Sequence, residues 1–193
     1  MSELEKSESS KSEKSAQVAS SLGRGREEAG AAVAGFHAKG FFDKVVDIQT
    51  CYLQAEPTNE IRLAVKEFAK LNRYPFYDIR NHVGFLRTMQ VRLCTTGELM
   101  VNIVVAENDM EKINRLMTFV AEKFPSITTL LYTINTKWND SLHDLEPVAW
   151  KGKGYVIERL ITVDDDCYDF KIGPKSFFSN KYKTRGNLIQ DYQ

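Results

Sequence analysis

The 193 residues carry 26 basic and 26 acidic side chains, so the formal net charge is zero. A general polyanion binder is usually strongly basic and is excluded; any nucleic-acid contact must be local. The 42% hydrophobic content supports one packed domain with a tail, and no apolar run of about eighteen residues is present to span a membrane. Three cysteines, an odd number, with no apolar signal core at the start of the chain, point to reduced thiols in a cytoplasmic setting.

Residues 1–33 are rich in Ser, Glu, Lys and Ala and contain no aromatic side chain. Such a segment buries too little apolar surface to offset chain entropy, so it is expected to be disordered, with at most a short fraying helix near Arg24–Val33. From Ala34 the composition changes. "AGFHAKGFFDKVVDIQTCYLQ" brings aromatic and β-branched residues and predicts a strand at Lys44–Ile48. Pro57, Thr58 and Asn59 form a helix start, and Ile61, Val65, Phe68 and Leu71 follow at helical spacing, so a helix is placed over Asn59–Asn72.

"GFLRTMQVRLCTTGELMVNIVVAE" reads as a β-hairpin. Phe85, Met89, Val91 and Leu93 share one side of its first strand; Leu99, Val101, Ile103 and Val105 share one side of the second. Thr95–Glu98 makes the turn, with Gly97 free to take positive φ. An amphipathic helix over Asp109–Phe124 follows, ended by Pro125. Ile127–Ile134 suits a central strand, Val148–Lys151 and Tyr155–Leu160 are expected to pair around "GKG", and Tyr168–Ile172 is a last strand. The expected class is α+β, a mostly antiparallel sheet with two amphipathic helices.

Residue chemistry alone marks few sites. "GKG" lacks the length of a phosphate loop and a following helix, so it reads as a hairpin turn. His37, His82 and His143 lie far apart without ligand spacing and read as surface or core fillers. Asp164–Asp166 read as a solvated turn. "NTKWND", Asn135–Asp140, is more informative: Asn, Lys and Trp at the end of a buried strand can hydrogen-bond and stack on a nucleotide. The plainer alternative is a capped loop with Trp138 packed beneath it. "GPKSFF" is similar: Lys175 with Phe177 and Phe178 makes either a stacking platform or core.

Four stretches, in order, resemble one family: "GFHAKGFFDKVVDIQTCYLQ", "YDIRNHVGFLRTMQVRLCTTGELMVNIVV", "SITTLLYTINTKWNDSLHD" and "FKIGPKSFF". The family is that of the RNA (uracil-C5) methyltransferases of the ribosomal RNA type, and the likeness covers about residues 34–178. The resemblance implies the family's central α+β domain, which lies between an RNA-binding OB-like domain and a Rossmann-like domain that binds S-adenosylmethionine. In the family a catalytic cysteine adds to C6 of a flipped uracil before C5 is methylated. Cys94 and Cys167 do not sit in that nucleophile motif, and no catalytic residue is assigned to this chain. The cysteine after "VDI" is, in the family, the last of four ligands to a 4Fe–4S cluster. Cys51 occupies that place, but no cysteine precedes it, and such a cluster needs four thiolates. Cys51 is therefore expected to be an ordinary, partly buried thiol, the alternative being a cluster shared with another chain, and no cofactor is expected to be bound by this chain.

The family follows "SFF" with Gln-x-Asn; this chain continues "SNKYKTRGNLIQDYQ". If one extra T was inserted in the Phe-Phe codons, one choice of codons for Ser179–Arg185, read one base out of register, encodes Gln-Thr-Asn-Thr-Lys-Gln-Gly and restores the pattern. Residues 179–193 are thus expected to be an aberrant, frameshifted tail, the alternative being a genuinely divergent one. The sequence reading is a truncated uracil-C5 methyltransferase of 23S rRNA that keeps the RNA-positioning domain and lacks activity, with RNA as partner. The alternatives are a non-catalytic RNA-binding or adaptor module and an inert gene remnant. The residues singled out for RNA contact or proximity to the site are Arg87, Asn135, Lys137, Lys175, Phe177 and Phe178.

Overall fold

The computed structural model describes residues 16–24, 32–40, 43–162 and 164–176. Seven strands form one sheet in the order β3-β2-β1-β4-β5-β6-β7. They are β1 Ala16–Arg24, β2 Ala32–His37, β3 Val45–Asp47, β4 Leu86–Leu93, β5 Leu99–Val105, β6 Thr129–Ile134 and β7 Val148–Lys151. The helices are α1, Thr58–Leu71, and α2, Met110–Lys123; β8 Val156–Ile161 and β9 Cys167–Ile172 form a separate two-stranded ribbon. Every pair in the large sheet is antiparallel except β5 with β6, which α2 joins as a crossover. The expected α+β class holds. No helix among the described residues is long and apolar enough to cross a membrane.

Both helices cover one face of the sheet. Ile61, Val65 and Ala69 of α1 and Ile113, Leu116, Met117 and Val120 of α2 meet Met89, Val91, Leu99, Val101, Ile103, Leu130 and Tyr132. Phe68 stacks on Phe119 with centroids 4.5 Å apart, joining the helices. The alternate residues of the same strands point the other way, as the period of two requires. There Cys94, Met100 and Leu131 pack against Val156 and Ile172 of the ribbon. β5 is therefore buried on both faces along its whole length.

Four expectations need correction. Disorder over residues 1–33 does not hold where Ala16–Arg24 forms β1, nor at Ala32–Val33, which open β2. β1 is hydrogen-bonded on both edges, from Ala16↔Leu93 to Ser21↔Thr88 and from Ser21↔Gly35 to Arg24↔Ala32. A composition argument weighs side-chain burial and misses that backbone pairing. Residues 1–15 and 25–31 and the 179–193 tail lie outside the described residues.

β7 pairs with β6, and β8 with β9, so "GKG" links two sheets rather than closing a hairpin. Gly152, at φ +80°, lies so close to Thr128 that an added Cβ would stand 2.1 Å from its carbonyl oxygen. β6 lies one strand from the edge rather than at the centre. Leu71 is 81% exposed; at about 100° per residue it sits roughly 80° around the helix from Ile61.

Candidate nucleic-acid interface

Arg87 lies where the β4–β5 register shifts, between Leu86 and Thr88. Such irregularities re-aim a side chain, and this one turns a guanidinium to the end of β6. Arg87 is 3% exposed. Its Nη1 donates to the carbonyls of Asn135 (2.8 Å) and Lys137 (2.6 Å). Its Nη2 donates to the Asn139 carbonyl (3.1 Å) and Asp140 Oδ1 (2.7 Å). The guanidinium carbon lies 4.1 Å above the centre of the Tyr77 ring. Asn135, fully buried, reinforces the same loop: its Nδ2 donates to the Asn139 carbonyl at 2.9 Å and its Oδ1 accepts from Lys137 N at 3.1 Å. The loop after β6 is thus wound around one buried cation.

The sequence-selected residues fall into three groups. Arg87, Asn135 and Lys137 come together. Lys137 Nζ donates to the Ser141 carbonyl at 2.8 Å and bonds Asp144, which holds that carboxyl below its usual range. Lys175 anchors the far end of the same loop, with Nζ donating to the Leu145 carbonyl at 2.8 Å and to Glu146 at 2.9 Å. All four turn polar groups inward, so they shape the loop rather than present it. Phe177 and Phe178 lie outside the described residues.

What the loop does present is Trp138. It is 76% exposed, so the expectation of a tryptophan packed beneath the loop fails. Its ring stacks on His82, centroids 4.8 Å apart and planes 7° from parallel. His82 Nδ1 is hydrogen-bonded to the Tyr77 hydroxyl at 3.2 Å, and Tyr77 is the ring beneath Arg87. An open cleft of about 750 Å³ runs beside this stack, lined by Ile79, Arg80, His82, Trp138, Asn139 and Asp140. Sequence reasoning passed over His82 as a filler. Its φ of +55° marks it as a shaped turn residue, and histidine is among the residues enriched in that region.

Cys51 is half-buried, and its loop is also tightly held. Asn59 accepts from Cys51 N at 2.9 Å and donates to the Cys51 carbonyl at 3.3 Å. Arg62, 1% exposed, donates to the carbonyls of Ala34, Ile48 and Gln49 at 2.6–3.0 Å. No group of three or more His, Cys, Asp or Glu able to hold a metal ion occurs among the described residues. With no cysteine before Cys51, the residues present do not fit a four-iron cluster. Cys94 is buried beside Glu158, and burial first, then that carboxylate, push its thiol up to about 12. It is poorly suited to act as a nucleophile.

No family model matches the chain. Residue-by-residue similarity is nevertheless extensive. The chain is 45% identical over 161 residues to an uncharacterized RNA methyltransferase of Porphyromonas gingivalis, covering 82% of this chain and 32% of that protein. A second uncharacterized RNA methyltransferase, from Bacteroides thetaiotaomicron, is 40% identical over 81% of this chain and 34% of its own length. The tRNA (uracil(54)-C(5))-methyltransferase of Pyrococcus horikoshii is 30% identical over 81% of this chain and 35% of its own. Among solved structures, the tRNA (uracil-54, C5)-methyltransferase of Pyrococcus abyssi in complex with S-adenosyl-L-homocysteine matches with a TM-score of 0.61 and 25% identity, over 85% of this chain and 36% of that one. The chain spans about a third of the length of these relatives. Similarity in sequence and in fold agree, and the chain belongs to the RNA methyltransferase family of the uracil-C5 type.

Proposed function

We propose that the chain is the RNA-positioning part of an S-adenosylmethionine-dependent RNA uracil-C5 methyltransferase acting on ribosomal RNA. Donor binding and methyl transfer are then the work of family parts beyond the matched third. The observation that carries this reading is the 45% identity to an RNA methyltransferase over 82% of the chain, with the shared fold in support. The donor supplies the methyl group when bound in the whole enzyme. The contribution of this chain's own residues is a rigid surface: Arg87 fixes the loop after β6 and the Tyr77–His82 turn in one geometry. Positioning of this kind is catalytically useful because small misplacements of a reacting base are costly.

The test is a pair of measurements on the purified 193-residue chain. Fluorescence anisotropy with a labelled ribosomal RNA fragment is expected to show binding. Titration with S-adenosylmethionine, and transfer of radiolabelled methyl to the same RNA, are expected to show none. Methyl transfer by this chain alone would overturn the division of labour, and absence of RNA binding would overturn the positioning role. A second reading, a non-catalytic RNA-binding or adaptor module, is favoured by the continuous core that the described residues form among themselves. RNA binding without any effect when the rest of a family enzyme is supplied in trans would select it.

A further inference from the structure

We infer that the Trp138–His82 pair is a stacking platform for one unpaired RNA base. The inference deepens the proposed function and rests on it, because it takes RNA as the ligand. Trp138 is 76% exposed, yet it is not loose. One face lies on His82, nearly parallel at 7°. Both rings are carried by short loops that converge on Arg87: His82 through the Tyr77 hydroxyl and the Tyr77 ring, Trp138 through the Lys137 and Asn139 carbonyls on either side of it.

The turn beneath His82 is equally fixed. Asp78 Oδ1 accepts from Arg80 N at 2.9 Å and Asn81 N at 3.2 Å. Gly84, at φ +118°, approaches Phe76 so closely that a Cβ there would lie 2.4 Å from its carbonyl. A pre-ordered flat ring adjoining an open cleft loses little entropy on receiving a base, and a base offers a matching flat face.

The charge balance of the cleft says which part of RNA is recognised. Arg80 is paired with Asp43, and Asp140 with Arg87. Among the described residues the cleft therefore lacks the unbalanced positive charge of a phosphate groove. Recognition falls on the base, and the salt dependence should be shallow, about one released counterion or fewer. A base in a duplex has both faces covered and cannot use the ring, so the ligand is single-stranded RNA or an unstacked nucleotide.

The experiment uses the full chain with Trp150→Phe, leaving Trp138 as the single tryptophan reporter. It is titrated with a single-stranded oligouridylate of about ten nucleotides, a length within the reach of one binding site, and with its duplex. Intrinsic fluorescence is read alongside anisotropy of a labelled strand. The expected result is quenching of Trp138 by the single strand and little by the duplex. Trp138→Ala should weaken binding by about 5- to 150-fold, His82→Ala by less, and Trp138→Phe should retain most of it. Circular dichroism checks that each variant is folded. RNA binding with unchanged Trp138 emission, or equal affinity of Trp138→Ala, would overturn the platform and leave the RNA-positioning role standing. No anisotropy change with any RNA would overturn both.

Discussion

Arg87 Nη1 lies 2.8 Å from the carbonyl oxygen of Asn135, tying the start of β4 to the end of β6 across the intervening β5. Three further acceptors share the guanidinium, and all belong to residues 137–140. Lysine offers three donors from a single point and no planar fork, so it cannot reproduce this pattern. Arg87→Met should destabilise the fold by about 3 kcal/mol, chiefly through the orphaned carbonyls. The Asp140 ion pair adds little, because that carboxylate is half exposed. Arg87→Lys should recover only part of the loss. Urea denaturation checks this as a lower midpoint at unchanged slope; a midpoint equal to wild type in Arg87→Met would refute the clamp.

Two other buried arginines make a contrast. Arg62 has three carbonyl acceptors and lies near Asn59 Oδ1 at 3.4 Å, with Nε as its one buried nitrogen lacking a partner among the described residues. Among the described residues Arg92, 4% exposed, reaches only the Ser176 carbonyl at 3.1 Å, and its Nε and Nη1 are buried without a partner there. Burial disfavours the charged form of both. Removing a well-satisfied buried ion strands its acceptors, whereas removing a poorly satisfied one mainly relieves desolvation. Arg62→Met should therefore cost about 3–5 kcal/mol, and Arg92→Met should lie within about 1 kcal/mol of wild type or above it. Equal losses in thermal or urea unfolding would contradict the distinction.

Much of the fold was legible because periodicity reports burial. The helix expected over Asn59–Asn72 is α1, Thr58–Leu71, and the hairpin expected around Gly97 is β4 and β5. What was not legible depends on partners remote in sequence. Nothing local says that Val148–Lys151 pairs back to β6, or that an Ala- and Ser-rich segment becomes an interior strand. The same holds for the site. Arg87 and Asn135 stand out in the sequence by chemistry and position, but only three-dimensional packing shows that they face inward, leaving Trp138 and His82 to face out.

The three thiols should separate by reactivity. Cys167 is exposed, Cys51 half-buried and Cys94 buried, with the Cys94 pKa pushed up to about 12 by burial and by Glu158. At pH 8 the thiolate fraction of Cys94 is then on the order of one in ten thousand, before steric access is counted. Timed alkylation with mass spectrometry should modify Cys167 first, Cys51 next, and Cys94 only in denaturant. Early labelling of Cys94 would show that the ribbon packed over it opens readily.

The ribbon itself should loosen in acid. Glu98 accepts from Lys153 Nζ at 2.7 Å and from the Ile157 backbone N–H, fastening the β4–β5 turn to the start of β8. Burial pushes the Glu98 pKa up, but the bonds from Lys153 and Ile157 outweigh it, and the net shift is down from 4.5. Asp169 is held below 3.8 by its hydrogen bonds from Arg159 Nε at 2.6 Å and Nη2 at 2.7 Å. A carboxylate whose folded pKa is depressed contributes stability that is complete above its unfolded pKa and is lost as pH falls through the folded value. The ribbon's contribution should therefore hold above about pH 5 and decline below pH 4.5, first through Glu98 and then through Asp169. Hydrogen exchange at the Ile157 amide should accelerate, relative to its intrinsic rate, between pH 5 and pH 3. Glu98→Gln keeps a carbonyl acceptor but cannot titrate, so it should flatten that dependence. If the mutant retains the wild-type pH profile, Glu98 is not the group that fastens the ribbon.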